Sequence, residues 1–197
     1  MIIIEHRVNS IKHLKLTNKN YGVEIDVRSN GSELILDHDP YIDGVFLSDW
    51  IKHFDHNFII FNIKEEGLEE KILYYIKKFN ISNYFILDQS FPYLIKFINK
   101  GYDFGCLRLS EYENLYNIDF FIDKINWIWV DYFNIFPLDK KTYIYLKENN
   151  FKICLVSPEL QGYKIEKIYS LIDLLKTNNI KPDAVCTKHT KIWKEKF

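Results

Sequence analysis

Glu24, Asp26 and Arg28 stand two residues apart in the stretch YGVEIDVRSNGSELILDHDP, with Val23, Ile25 and Val27 between them. Side chains alternate across a strand with a period of two. An extended chain here therefore shows two carboxylates and a guanidinium on one face and three β-branched apolar groups on the other. Carboxylates at that spacing can share a hard cation such as Mg2+ or Ca2+, which takes oxygen ligands. They can equally form a structural ion-pair network with neighbouring cations. Histidine is the usual proton-transfer group near neutral pH, and His6 and His38 both follow strand-like runs. The same parity puts Asn62 with Lys64 and Arg108 with Ser110. Of the 26 lysines and arginines only Arg7, Arg28 and Arg108 are arginine, each at or near the end of such a run. A planar guanidinium fork is the better group where carboxylate or phosphate oxygens must be gripped in two places.

These residues need elements to position them. Eight short apolar or aromatic runs recur: Ile2–Ile4, Val23–Val27, Phe58–Ile63, Tyr84–Leu87, Phe104–Leu109, Trp127–Val130, Lys152–Val156 and Ala184–Cys186. Helical stripes separate most of them, with Leu68, Ile72, Ile76 and Phe79 on one and Ile165, Ile168, Ile172 and Leu175 on another. Helices are also expected over Pro92–Lys100, Glu111–Ile125 and Asp139–Asn150, closed by turn residues such as Gly101. Eight alternating units predict a closed (β/α)8 TIM barrel with short loops, at the small end of a range of about 200 to over 400 residues. In such barrels the chemistry sits at the carboxyl ends of the strands. His6, Arg7, Asp88, Ser90, Asp131, Ser157 and Glu159 collect there with the residues above. His13, His53, His56 and His189 read as structural histidines.

The 197 residues, 47% hydrophobic and 17% aromatic, suffice for one core and are few for two, so residues 1–197 read as a single domain. A formal net charge of −1 gives no basic field that would point to nucleic acid or an anionic membrane. There is no leader pattern and no apolar run of membrane-spanning length. Cys106, Cys154 and Cys186 lack metal-type pair spacing and lie in apolar runs, as reduced core thiols do, and a cytoplasmic protein is the expectation.

EHR at Glu5–Arg7, GVEIDVR at Gly22–Arg28, LILDHDP at Leu34–Pro40 and FNIKE at Phe61–Glu65 together resemble the opening motifs of the glycerophosphodiester phosphodiesterases. The resemblance covers the first third of the chain. It implies a (β/α)8 barrel that hydrolyses a phosphodiester with the help of a divalent cation, Mg2+ or Ca2+. By position, His6 and His38 match the general acid and base, Arg7 the phosphate-gripping arginine, and Glu24 and Asp26 two metal ligands. The third-strand Glu-x-Lys motif reads Asn62-Ile63-Lys64 here, so Lys64 keeps the phosphate-facing place and Asn62 replaces a ligand carboxylate. One negative charge fewer weakens metal binding. Val8 stands where a glycine usually follows His-Arg. The short segment from Pro40 to Phe58 leaves no room for the inserted subdomain common in the family, which implies a more open mouth or a larger substrate. The alternatives are a phosphate-binding barrel that has lost turnover and a lyase that releases a cyclic phosphate.

Overall fold

The computed structural model describes residues 1–197 and turns each apolar run into a strand. In chain order the elements are β1 (Ile2–Glu5), α1 (Ile11–Leu16), β2 (Gly22–Asn30), β3 (Glu33–Leu36), β4 (Val45–Phe46), α2 (Leu47–Trp50), β5 (Ile59–Ile63), α3 (Glu69–Lys78), β6 (Tyr84–Leu87), α4 (Phe91–Asn99), β7 (Cys106–Leu109), β8 (Trp127–Val130), α5 (Lys140–Glu148), β9 (Lys152–Val156), α6 (Glu166–Thr177), β10 (Ala184–Thr187) and α7 (Thr190–Lys196). Eight strands run parallel in the order β6-β5-β2-β1-β10-β9-β8-β7. The antiparallel strands β3 and β4 continue from the far end of β2, whose Val27–Asn30 half pairs with β3. No helix is long and apolar enough to cross a membrane.

The sheet is mixed and curled, and its two edge strands, β6 and β7, face each other without a ladder. A single backbone bond, Ile86 N–H to the Phe104 carbonyl at 2.9 Å, joins that seam. The expected closed barrel is therefore interrupted at one junction. At Gly105, just before β7, an added Cβ would lie 2.2 Å from Leu94 Cδ1 of α4, so the helix packs on this position only because it is glycine.

Side chains fill the interior across the gap. Ile4, Ile60, Phe85, Leu87, Trp127, Trp129, Cys154 and Cys186 belong to one buried cluster. Phe85 packs against Trp127 with ring centroids 5.1 Å apart, and Phe58 meets the same indole at 5.2 Å. Such rings each bury about 150–250 Å² and dominate core energetics. All three cysteines are free and lie in this interior. The outward faces of the strands pack under the helices: Ile72 and Ile76 of α3 and Ile168, Ile172 and Leu175 of α6 are buried as the periodicity predicted, whereas Ile165, the residue before α6, is 41% exposed and Leu171 joins the buried face.

The helix expected over Glu111–Ile125 is absent. That segment is irregular apart from a 3-10 turn at Ile118–Phe121. Ser110 Oγ accepts the N–H groups of Tyr112 and Glu113, and the Glu111 carboxylate accepts N–H bonds from Phe133, Asn134 and Ile135. Asn117 adopts φ 58°, in the left-handed region. These side-chain bonds compete with helix formation, the usual effect of Ser and Asn near turns.

The interior begins at Gly22, where a Cβ would meet Phe58 Cβ at 3.0 Å and Ile4 Cγ1 at 3.1 Å. Gly22→Ala should overpack this layer and lower stability by about 1–3 kcal/mol. Urea denaturation checks it; an unchanged midpoint would show that the layer has slack.

Candidate active site

The period-two reading of β2 holds: Glu24 and Asp26 point inward and are fully buried, while Val23, Ile25 and Val27 join the outer core. The segment after β1 is stitched along them. Arg7 takes φ 55°, and this left-handed turn aims its backbone N–H at Glu24 Oε2, 2.8 Å away. Val8 N–H then reaches the Glu24 carbonyl at 2.8 Å, and the Trp50 indole donates to the Val8 carbonyl at 2.9 Å. Val8 itself is fully buried in the outer core, so an apolar anchor takes the place of the expected glycine.

Asn9 completes the stitch with two bonds that no motif announced. Its Nδ2 donates to Asp26 Oδ2 at 2.9 Å, and its Oδ1 accepts the Asp26 N–H at 2.9 Å. Only its position three residues after His6 hinted at this role. Arg7 Nε lies 3.6 Å from Asp26 Oδ2, and Lys64 Nζ lies 3.2 Å from Asp26 Oδ1 and 3.7 Å from Asp88 Oδ2. Asn62, beside Asp26 in the β2–β5 register, donates through Nδ2 to Glu24 Oε1 at 2.9 Å. His6 Nε2 is 3.8 Å from Glu24 Oε2. His6, Arg7, Glu24, Asp26, Asn62 and Lys64 thus converge at the carboxyl end of the sheet.

Burial and then the neighbouring Asp26 charge push the Glu24 carboxyl well above the ordinary carboxylate range. Burial, with Arg7 beside it, drops His6 to about 3. Two oxygens at this centre, Asp26 Oδ1 and Asn62 Oδ1, are buried without a hydrogen-bond donor, although Lys64 lies near the first. No group of three His, Cys, Asp or Glu side chains is assembled, because the third place is Asn62. Two carboxylates and an unpartnered amide oxygen still form an all-oxygen donor set of the kind that hard divalent cations take.

The remaining residues lie around this centre. Arg108 donates from Nε and Nη2 to Asp88 and from Nη1 to Asp131, and Gln161 holds the other Asp131 oxygen at 3.1 Å. Arg108 therefore reaches the centre through Asp88 and Lys64. Arg28 does not touch the carboxylates of its own strand; its Nε and Nη2 grip the His38 carbonyl at 3.2 and 2.9 Å. His38 sits after β3, 41% exposed, with Nδ1 2.8 Å from Asp39 Oδ1 and no bond to the Glu24–Asp26 cluster. Glu159 caps the opposite wall, accepting from Ser157, Thr187 and the Lys188 N–H.

Burial raises Asp131 from 3.8 to about 6 despite the facing Arg108. Between those values the native chain binds more protons than the unfolded chain, so the Asp131 contribution to stability falls as pH rises. Asp131→Asn cannot titrate. The stability of the variant relative to the native protein should improve by roughly 2–3 kcal/mol at most between pH 4 and 6. Urea denaturation at stepped pH checks it; a pH-independent difference would mean that Asp131 ionises normally.

No family model matches the sequence, and no curated protein matches it. Solved structures do match. A glycerophosphodiester phosphodiesterase from Agrobacterium tumefaciens aligns with 99% of this chain and 98% of its own, at 10% identity and a TM-score of 0.65. A glycerophosphoryl diester phosphodiesterase from Parabacteroides distasonis aligns with 100% of this chain and 87% of its own, at 12% identity and a TM-score of 0.64. From end to end, the chain has the fold of the glycerophosphodiester phosphodiesterases.

Proposed function

We propose that the chain is a phosphoric diester hydrolase acting on a phosphodiester with a hydroxyl next to the esterified oxygen. The observation that carries this reading is the convergence of His6, Arg7, Lys64 and the buried Glu24–Asp26 pair at the carboxyl mouth of that fold. One histidine removes the proton of the neighbouring hydroxyl; its oxygen bonds to phosphorus while the bond from phosphorus to the departing alcohol breaks. The other histidine gives that alcohol its proton. Water then opens the cyclic phosphate with the roles reversed. His6 offers a buried, unpartnered ring nitrogen, Nδ1, and His38, held against Asp39, is the group able to carry a proton in from solvent. Arg7 and Lys64 stabilise the charge that builds on the phosphoryl oxygens, with Arg108 supporting them through Asp88; removal of a preorganised donor of this kind costs roughly 10²- to 10³-fold in rate.

Glu24 and Asp26 would hold a divalent cation, Mg2+ or Ca2+, with Asn62 Oδ1 as a neutral third ligand. When bound it supplies positive charge to the phosphoryl oxygens. A second reading, a phosphate-binding protein without turnover, is favoured by one observation: Asn62 meets Glu24 as a donor, where a third carboxylate would have strengthened a metal site. A reducing compartment such as the cytoplasm suits the three buried free thiols.

His6→Ala and His38→Ala should each lower turnover of a phosphodiester by roughly 10²- to 10⁴-fold, with phosphate affinity little changed. Phosphorus NMR time courses on native and variant protein measure this and reveal any cyclic phosphate. Clear turnover that survives both substitutions would refute the mechanism; no turnover in the native protein would leave the binding reading. Asn62→Asp should tighten Mg2+ or Ca2+ by supplying the missing charge. Calorimetry that finds no binding in either protein would remove the cation.

A further inference from the structure

The carboxylate oxygens of Glu24 and Asp26 are engaged unequally. Glu24 Oε2 accepts the Arg7 N–H at 2.8 Å, and Glu24 Oε1 accepts from Asn62 Nδ2 at 2.9 Å. Asp26 Oδ2 accepts from Asn9 Nδ2 at 2.9 Å, while Asn9 Oδ1 takes the Asp26 N–H and so fixes the carboxylate against its own backbone. Asp26 Oδ1 is left as the oxygen of the pair that accepts no hydrogen bond, and it is buried. Asn62, its neighbour in the β2–β5 register, keeps a second buried and unbonded oxygen, Oδ1, because its amide nitrogen is given to Glu24. Buried acceptors without a donor are costly, so two of them side by side favour a positively charged group between them.

Lys64 is the nearest such group, and it is held loosely. Its Nζ lies 3.2 Å from Asp26 Oδ1, close enough for attraction but without hydrogen-bond alignment. On the other side it lies 3.7 Å from Asp88 Oδ2. Arg108 engages the other oxygen of Asp88, Oδ1, through Nε and Nη2, which leaves Oδ2 facing Lys64. The ammonium therefore stands between two carboxylates and is fastened to neither. A compact charge on a flexible four-carbon stem can pass from one to the other. Arg7 has no such freedom of partner: its Nε is 3.6 Å from Asp26 Oδ2, the oxygen that Asn9 already holds.

We propose that Lys64 is a tethered placeholder at Asp26 Oδ1, and that a divalent cation taken up between Asp26 Oδ1 and Asn62 Oδ1 displaces its ammonium toward Asp88. This rests on the phosphodiesterase reading and names what regulates the cation site within it. With Asn62 neutral, an ammonium beside Asp26 keeps the buried carboxylate from standing uncompensated. Once displaced, the same charge is free to meet the phosphoryl oxygens, so that one side chain couples cation uptake to the grip on phosphate.

The test is calorimetry with Mg2+ and with Ca2+ on the native protein and on Lys64→Met, Lys64→Gln and Arg7→Met. Both Lys64 variants should bind the cation about 10- to 100-fold more tightly than the native protein, the size of effect common for groups that touch a metal ligand. Arg7→Met removes the same charge from beside the other oxygen of Asp26 and should tighten binding by less than either. Affinity unchanged or weakened in the Lys64 variants overturns the proposal, as does an equal gain in Arg7→Met, which would make Lys64 one nearby charge among several. Binding by the Lys64 variants with none by the native protein keeps the placeholder and removes the cation from the native reaction; no binding by any of the four proteins removes both. The turnover assay stands apart: an affinity set by Lys64 without turnover keeps the placeholder and removes the phosphodiesterase reading, whereas turnover with an affinity indifferent to Lys64 does the reverse.

Discussion

Two carboxylates buried side by side on one strand are the constraint to which the rest of the site answers. Glu24 and Asp26 are fully buried, and like charges taken out of water raise each other's cost. The chain meets this with donors drawn from three directions: backbone and side chain from Arg7 to Asn9, the Asn62 amide, and the Lys64 ammonium. Removing any one partner would leave a buried charge short of compensation, which is far more costly than never having buried the pair. The arrangement thus sets the path of the loop after β1, the left-handed turn at Arg7, and the burial of Val8 and Trp50 that pins it.

The same centre holds two buried oxygens, Asp26 Oδ1 and Asn62 Oδ1, that have no hydrogen-bond donor. Burial holds Glu24 above its ordinary range, and Lys64 lies 3.2 Å from Asp26 Oδ1. Arg28, which shares the strand, is directed away to hold the His38 backbone. The second histidine is therefore placed by a residue whose own charge never reaches the carboxylates.

Below the site, aromatic packing substitutes for hydrogen bonding at the one junction where the sheet does not pair. Phe58, Phe85 and Trp127 bridge the interior, so the mouth residues on β2 and β5 and those on β7 and β8 keep a fixed relation although β6 and β7 share a single bond. The gap costs ladder bonds, and the buried ring cluster keeps its two walls together.

Strand positions, inward and outward faces, and the sharing of one face by Asn62 and Lys64 were legible in the sequence, because a strand's period of two is a local property of the chain. So were the stripes of α3 and α6, and the likeness of the opening motifs to a known family. The open seam was not legible. Whether the two edge strands β6 and β7 meet in a ladder depends on how all eight strands curl together, which no local pattern records. The loss of the helix over Glu111–Ile125 was hidden for a similar reason, since Glu111 is held by N–H groups of residues 133–135, more than twenty positions away. Asn9 carried no motif, and the direction of Arg28 and the engagement of Arg108 by two aspartates depended on which partners the fold brought within reach. Periodicity in the sequence determined which side chains face the mouth; only tertiary packing decided which of them touch, because a hydrogen bond requires partners within about 3 Å and sequence spacing fixes no such distance between elements.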